Sequence, residues 1–371
     1  MNKQTQRVRL PGRLGFSLLG GASIVLLLLF ADSATAAVKN GLQLCFGTVV
    51  PALFPFMVAS EILVECGGAA AIGNLLSKPM QALLGVPGAA ACPIVLGAIC
   101  GFPTGARTMT ALYDKGALSA RQCTRLLTFI NLPSSAYVIS AVGVKLLGSR
   151  RAGLLIWLIS LICAFLTAQI TRLLLPDKTQ GTPVPQQPVR ISAGVFTGAV
   201  TSAAQSMLYV CAYVLFFSAV LGTLQSACAR LVIPPAISAL LYGLAEMSGG
   251  VALAARIPNT EMAAATCAAL CGWSGISVMC QIITVCRGRG FSFAPYVLAK
   301  LAQGGLAAAL TALAIRYLFP LLPPEDTYAW LFLPSSTAQA LTHAINLCFL
   351  GGCGMLIAAK PMHRKGAADI Y

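Results

Sequence analysis

Charged side chains are scarce in this sequence, and their scarcity indicates a membrane protein. Only 9% of the 371 residues are charged, whereas 57% are hydrophobic, and the mean hydropathy is +0.82. Soluble domains carry about 25% charged residues, so these values exclude an ordinary soluble globular protein. Little polar sequence remains from which a separate catalytic domain could be built.

Acidic residues and histidines are also few, at 10 and 2 respectively. The sequence contains no His-Glu-x-x-His, no Gly-x-Ser-x-Gly and no Gly-x-x-x-x-Gly-Lys, the motifs of zinc peptidases, serine hydrolases and nucleotide phosphate binding. We therefore predict that the protein is not an enzyme, carries no cofactor and does not use ATP to drive transport.

Cysteine is abundant, with 14 residues, but it forms no Cys-x-x-Cys pair and falls inside apolar runs. A zinc site needs a compact set of thiolate and imidazole ligands. Cysteine in this sequence is therefore predicted to be a small buried apolar residue, and no metal site is expected.

The 25 Lys and Arg residues flank the apolar runs instead of forming one nucleic-acid-binding patch. They cluster near Lys3–Arg13, Lys145–Arg151, Arg287–Arg289 and Lys360–Lys365. The positive-inside rule places such clusters, and with them both termini, on the cytoplasmic side of a cell membrane, and the acidic Glu325–Asp326 loop outside. We expect lipid, not nucleic acid, around this chain.

About ten apolar segments approach the roughly 20 residues that a membrane-spanning helix needs. They cover 14–31, 44–64, 88–112, 126–148, 152–175, 205–228, 234–256, 262–286, 293–319 and 338–358. We predict an all-α polytopic membrane protein with about 8–10 transmembrane or re-entrant helices. The first segment, with Arg7–Arg13 before it and Ala34–Ala36 after it, is either a retained helix, which we favour, or a cleaved signal peptide.

The sequence repeats itself at an offset of about 144 residues. Leu166–Pro176 aligns with Leu310–Pro320 at six of eleven positions. Upstream, interruptions by Gly, Pro, Ser or Asn recur in matching places: 101–105 with 243–249, and 131–138 with 272–278. We predict two structural repeats with broken helices.

These interruptions divide the chain into predicted regions. The boundaries are 1–43 for a basic segment and first helix, 44–176 for repeat 1, 177–192 for a Pro-rich linker, 193–320 for repeat 2, and 321–371 for an external loop, a last helix and a basic tail. Non-helical backbone at membrane depth persists only where protein buries it or it lines a wet cavity. Matched broken segments in two halves are therefore typical of a transporter binding site.

Four motifs in order also resemble a known family: 49–61, 101–107, 126–131 and 243–247. Together they resemble the sporulation integral membrane proteins of the YlbJ type, which carry the nucleoside-recognition Gate domain. The resemblance covers about 14–320 and implies a membrane protein needed for the envelope or cortex of bacterial endospores. It also implies distant kinship with the fold of concentrative nucleoside transporters. Asn131-Leu132-Pro133 departs from the pattern, where a second small polar residue is expected.

Glu246 is the leading candidate site residue because it lies deep in an apolar segment. A charge at the bilayer centre costs about 2.5–3.5 kcal/mol on insertion scales, so such residues are usually functional. Arg107 follows the matching break of the first half and is either the partner of Glu246 or a residue that reaches the interface near Asp114 and Lys115.

Small polar residues at the breaks complete the candidate substrate site. They are Thr104, Gly105, Asn131, Ser134, Ser135, Ser248, Ser274 and Ser277. Each of the polar side chains either binds a polar ligand or joins helices by hydrogen bonds. Glu61 and Glu65 are expected at a membrane surface.

Two functions fit these observations. One is a transporter or permease for a small polar substrate, nucleoside-like or a cell-wall precursor, with Na⁺ or H⁺ as the coupling ion if there is one. The alternative is a non-transporting scaffold of the sporulation machinery that keeps a transporter-like fold. Homo-oligomers or other sporulation membrane proteins are candidate partners in both cases.

Overall fold

The computed structural model describes residues 10–176, 193–228 and 233–318, and these residues form helices without any strand. The α-helices are α1 Leu10–Leu29, α2 Ala31–Leu44, α3 Val50–Glu65, α4 Gly68–Leu75, α5 Ser77–Pro79, α6 Ala91–Cys100, α7 Thr104–Asp114, α8 Ala120–Ile130, α9 Arg150–Leu174, α10 Ala193–Ala227, α11 Pro235–Ala245, α12 Met247–Ala254, α13 Thr260–Trp273, α14 Gly275–Cys286 and α15 Ala294–Leu313. Wider π-helical turns cover Cys45–Val49, Met80–Leu84, Tyr137–Leu146 and Ala314–Leu318, and a short 3₁₀ turn covers Gly88–Ala90. The predicted all-α class is confirmed.

Four helical stretches in the described ranges are long and apolar enough to cross a membrane. They are Arg150–Leu174, Gly194–Ala227, Thr260–Cys286 and Ala294–Leu318. Three bent helix pairs raise the number to seven if each pair is one span. The predicted linker, the acidic external loop and the last helix at 338–358 lie outside the described residues.

Local sequence explains where several of these helices begin. Ser119 and Gln122 form a reciprocal capping box at the start of α8, and Ser149 caps α9 through the amide of Ala152. Asn259 does the same for α13 by accepting from the amide of Met262. These caps satisfy amides that the first helical turn leaves without partners.

Each half contains the same series of elements: a hairpin of two short helices, a broken helix and a long helix. In the first half the hairpin is α6–α7, the broken helix is α8 with Tyr137–Leu146, and the long helix is α9. In the second half they are α11–α12, α13–α14 and α15. The breaks lie at 101–103, 131–134, Glu246 and Ser274, where the sequence predicts them.

Small residues allow the two arms of each hairpin to pack closely. A Cβ added at Gly105 would lie 3.0 Å from the Cα of Gly97 and 3.2 Å from the Pro93 carbonyl oxygen. In the second hairpin, Gly250 meets Gly243 in the same way. Small residues at such contacts are typical of helix packing in membranes.

The two halves are inverted relative to each other. Thr260–Cys286 forms one long span, so the connector 255–259 before it and Arg289 after it lie at opposite ends. Arg289 donates hydrogen bonds of 2.8 and 2.6 Å to the carboxylate of Asp114, beside the connector 115–119. The equivalent connectors 115–119 and 255–259 therefore lie on opposite sides of the molecule.

Because the halves are inverted, the basic clusters Lys145–Arg151 and Arg287–Arg289 do not lie on the same side of the molecule. The C-terminal end of α9 lies beside α8, because the hydroxyls of Thr171 and Thr128 are 3.4 Å apart, and Arg150 is at the other end of this 25-residue helix. Arg150 thus lies at the end opposite Arg287 and Arg289, and the prediction that both clusters share the cytoplasmic side is wrong. The positive-inside rule fails here because it considers only the charge of each loop and not the number of membrane-spanning segments between the loops.

We expect the Asp114–Arg289 ion pair between the halves to have a small, pH-dependent effect. Hydrogen bonds from Arg289 hold the pKa of Asp114 below its usual value, so the pair stabilises the fold above about pH 4 and loses this contribution as the pH falls through the lowered pKa. Because Asp114 is 50% exposed and Arg289 27% exposed, the contribution is about 1 kcal/mol or less. Asp114→Asn should lower the thermal unfolding midpoint slightly at pH 7 and by less at pH 2.5. A larger loss at pH 2.5 would contradict this.

Candidate functional site

The first two breaks are joined directly to each other. The Phe102 amide donates a 2.9 Å hydrogen bond to the Leu132 carbonyl oxygen, so each break supplies a partner to the backbone of the other. Gly101 lies against Ser134, and a Cβ added there would be 2.5 Å from the Ser134 amide nitrogen. The tip of the first hairpin is thus fixed against the first broken helix.

Glu246 forms the tip of the second hairpin. It is 2% exposed, and its carboxylate caps α12, accepting from the amides of Ser248 at 2.9 Å and Gly249 at 2.6 Å. A carboxylate at a helix N-terminus is favoured by the helix dipole and by the free amides. Both of these partners are uncharged backbone groups.

The fourth break packs against that tip. Ser274 has a left-handed backbone with φ of 76°, which ends α13 and begins α14. The indole nitrogen of Trp273 donates a 3.0 Å hydrogen bond to the Leu244 carbonyl, and Gly275 lies against the Met247 amide. The second half therefore repeats the junction between hairpin tip and broken helix seen in the first half.

All these elements meet at one cavity. Its polar lining comes from Ser134, Tyr137, Glu246, Ser248 and Gln281. The apolar lining consists of Val49, Leu53, Phe102, Val210, Val214, Met247 and Val278. The centre of a water molecule can occupy about 40 Å³ of this cavity, which is room for a few waters or an ion. The cavity is therefore smaller than a site for a drug-sized ligand, which measures about 300–1,000 Å³.

Several buried polar atoms near the breaks have no hydrogen-bond partner in the described part of the chain. They are the hydroxyls of Thr104, Ser274 and Ser277 and the Oδ1 atom of Asn131. Buried polar atoms are nearly always satisfied, so exceptions point to water, an ion or a ligand. At the breaks, some buried polar atoms therefore remain available to form hydrogen bonds with water, an ion or a ligand.

The structure brings some of the predicted site residues together and separates others. Ser134, Glu246 and Ser248 line the cavity, whereas Thr104, Gly105, Asn131, Ser135, Ser274 and Ser277 lie at the breaks without lining it. Ser135 donates to the Ile99 carbonyl, and the Asn131 amide donates to the Leu127 carbonyl.

Arg107 is the clearest departure, because it does not pair with Glu246. Its guanidinium lies 2.6 Å from Glu61 Oε1 and donates to the backbone oxygen and hydroxyl of Ser202 at 3.0 and 2.6 Å. Of the two alternatives for Arg107, the pair with Glu246 is wrong because Arg107 lies one turn beyond the hairpin tip, beside α3 and α10. Arg107 anchors the first hairpin to those helices.

The Arg107–Glu61 pair gives a testable stability prediction. The two side chains are 15% and 23% exposed, so removing the arginine leaves a poorly hydrated carboxylate. Arg107→Met should cost about 1–3 kcal/mol, less than a fully buried pair, and Arg107→Met/Glu61→Leu should cost less than Arg107→Met alone.

Apparent unfolding temperatures of detergent-purified variants measure these effects. Lys115→Met is the matched control, because the Lys115–Glu65 pair is longer, at 3.7 Å, and more exposed, so little change is expected there. A double variant less stable than Arg107→Met would contradict the pairing.

Sequence reasoning missed two buried polar residues on α15 and one on α14. Gln281 lines the cavity, while Lys300 and Gln303 are 1% and 2% exposed and lie behind the second break. Each was visible as a polar residue inside an apolar run, the same signal that singled out Glu246.

Comparison with known proteins agrees with this geometry. Residues 46–150 match the family model described as Gate, nucleoside recognition. The chain is also similar to the Sporulation integral membrane protein YlbJ of Bacillus subtilis (strain 168), with 24% identity in an alignment that covers 88% of this chain and 86% of that protein. The predicted family resemblance is confirmed.

The Gate match contains the first hairpin and the first broken helix, and it ends where α9 begins. No solved structure matches the chain. The integral-membrane relative and the apolar helices together establish a multi-pass membrane protein.

Proposed function

We propose that this protein is a transporter or permease of endospore-forming bacteria whose substrate site is the cavity at the four breaks. The observation that carries the proposal is the convergence of both hairpin tips and both broken helices on buried Glu246. Matched broken helices in inverted halves are how secondary transporters build a site at mid-membrane. The role in sporulation follows from the similarity to a sporulation membrane protein.

The chemistry of the lining favours a small, polar, uncharged or cationic substrate. Glu246 supplies a carboxyl group, and Ser134, Tyr137, Ser248 and Gln281 supply hydrogen-bonding groups between apolar walls. That mixture suits a nucleoside-like solute, with a polar sugar edge and a flat ring. An anionic cell-wall precursor would place its charge against Glu246, so it fits less well.

The small cavity volume fits a closed state. A nucleoside-sized solute enters only if a hairpin moves away from its broken helix, and alternating access in transporters takes place by such rigid-body movements. The proposed moving parts are α6–α7 and α11–α12, within the proposed repeats 44–176 and 193–320.

Ligand-dependent thermal stabilisation tests this function. Detergent-purified protein should show a higher apparent unfolding temperature with one class of nucleoside, because a ligand that binds only the native state stabilises it. Cell-wall precursors serve as the comparison set. Well-folded protein that responds to none of these compounds would favour the scaffold over the transporter.

A further inference from the structure

A cationic side chain lies against the second break without any acidic partner. Lys300 is 1% exposed, and its Nζ atom donates to the Asn131 carbonyl at 2.8 Å and to Gln303 Oε1 at 3.0 Å. The ion pairs found in the described ranges use Glu61, Glu65 and Asp114, and none of them includes Lys300. The ammonium is therefore held by neutral oxygen atoms alone.

One of these oxygen atoms, the Asn131 carbonyl, lies at the C-terminal end of α8, and the other belongs to Gln303 on α15. At that end of α8, the Leu127 carbonyl accepts from the Asn131 side chain and the Thr128 carbonyl from Gln303, which leaves the Asn131 carbonyl to Lys300. A helix C-terminus carries partial negative charge and favours a cation. Carbonyls released at the breaks of transporter helices are also the groups that coordinate Na⁺.

The other half of the repeat has no charge at the equivalent position. At the 144-residue offset that aligns α9 with α15, Lys300 corresponds to Ile156, which is fully buried. The same position in the other half is thus filled by an apolar side chain. An ionisable group inside the membrane region is by default a candidate functional residue.

From these contacts we propose that Lys300 is a built-in cation that takes the place of a bound Na⁺ at the second break. Its ammonium holds the Asn131 carbonyl, three residues before the cavity-lining Ser134, and so sets the geometry of that break without a metal ion. The inference deepens the proposed transport function and states that this site is independent of Na⁺.

No carboxylate is among the titratable groups that face Lys300 in the described part of the chain. The titratable groups that face it are the thiols of Cys271 on α13 and Cys163 on α9. From α8 it meets the Asn131 carbonyl, and on its own helix it meets Gln303. Gln303 in turn donates to Thr167 at 3.1 Å, so the ammonium ends a hydrogen-bonded chain across α8, α9 and α15.

Thermal unfolding in NaCl and in choline chloride at equal ionic strength tests the proposal, without any transport substrate. Wild-type protein should unfold at the same temperature in both salts. Lys300→Ala, which opens the position, should be less stable in choline and regain at least about 3 °C in NaCl or methylammonium chloride, since either cation binds the vacated oxygens. Lys300→Met, which fills the position with a neutral chain, should not respond to either salt.

Lys145→Met, at an exposed lysine on Tyr137–Leu146, is the matched control and should behave as wild type. Na⁺ stabilisation of the wild type would overturn the proposal by itself, even if neither Lys300 variant folds. The proposal would also be overturned if Lys300→Ala were as stable as the wild type. The same holds if Lys300→Ala were less stable and neither Na⁺ nor methylammonium raised its unfolding temperature. Since no substrate is present, failure to bind nucleosides bears only on the proposed transport function.

Discussion

Glu246→Gln is expected to accumulate in the membrane at close to the wild-type level but to lose substrate-dependent stabilisation. The glutamine oxygen still accepts from one of the two amides that cap α12, so the fold loses only part of a cap, about 1 kcal/mol. A substrate hydrogen bond to a charged group is worth about 1.5–3 kcal/mol. Affinity for the nucleoside identified by thermal stabilisation should therefore fall about 10- to 100-fold.

Two variants separate this effect from simple loss of structure. Glu246→Ala removes both amide contacts, and it should lower stability and binding together. Asn259→Ala removes a different cap, that of α13, and should lower stability by a similar amount while leaving affinity unchanged. Unaltered affinity in Glu246→Gln would place the substrate elsewhere or remove the transporter proposal.

Gly101→Ala should cause the largest loss of stability, roughly 5 °C or more in apparent unfolding temperature. Gly101 has φ of 79° and ψ of −171°, a region open almost only to glycine. The added methyl group would also lie 2.5 Å from the Ser134 amide nitrogen and 2.8 Å from its Cα. Backbone atoms cannot move aside cheaply, so the junction between the first two breaks must open.

Gly148→Ala is the matched control for that prediction. Gly148 also has a positive φ, of 65°, but a Cβ added there meets nothing within 4 Å. Gly148→Ala should lose only about 1–2 kcal/mol from the unfavourable backbone conformation. Equal losses in the two variants would show that contact with Ser134 does not matter.

The positions of the breaks were predictable because they depend on local chemistry. Glycine, proline, serine and asparagine interrupt apolar runs at matching places in both halves, and the helices end there. Glu246 was predictable for a similar reason, since a carboxylate within an apolar run is conspicuous. The inverted halves also follow once Asp114 is known to meet Arg289.

The partners of the charged residues were not predictable from sequence. Arg107 pairs with Glu61 on α3, a helix that precedes the series of elements shared by the two halves. Neither periodicity nor repeat alignment brings α3 beside α7. Lys300 was visible as a charged residue inside an apolar run, but the sequence did not indicate its partners. Only packing shows that its side chain turns inward to α8 and not outward to water.

If the protein is the transporter proposed above, its inverted halves also bear on how its two conformations compare in energy. When each half can adopt the conformation of the other, exchanging the two conformations produces a second state of the protein. In that state the cavity opens to the opposite side of the membrane, with nearly the same contacts between the halves. Positions where the halves differ then decide which state is more populated. Lys300 opposite Ile156 is such a position, because a charge present in one half and absent from the other tilts an otherwise balanced equilibrium.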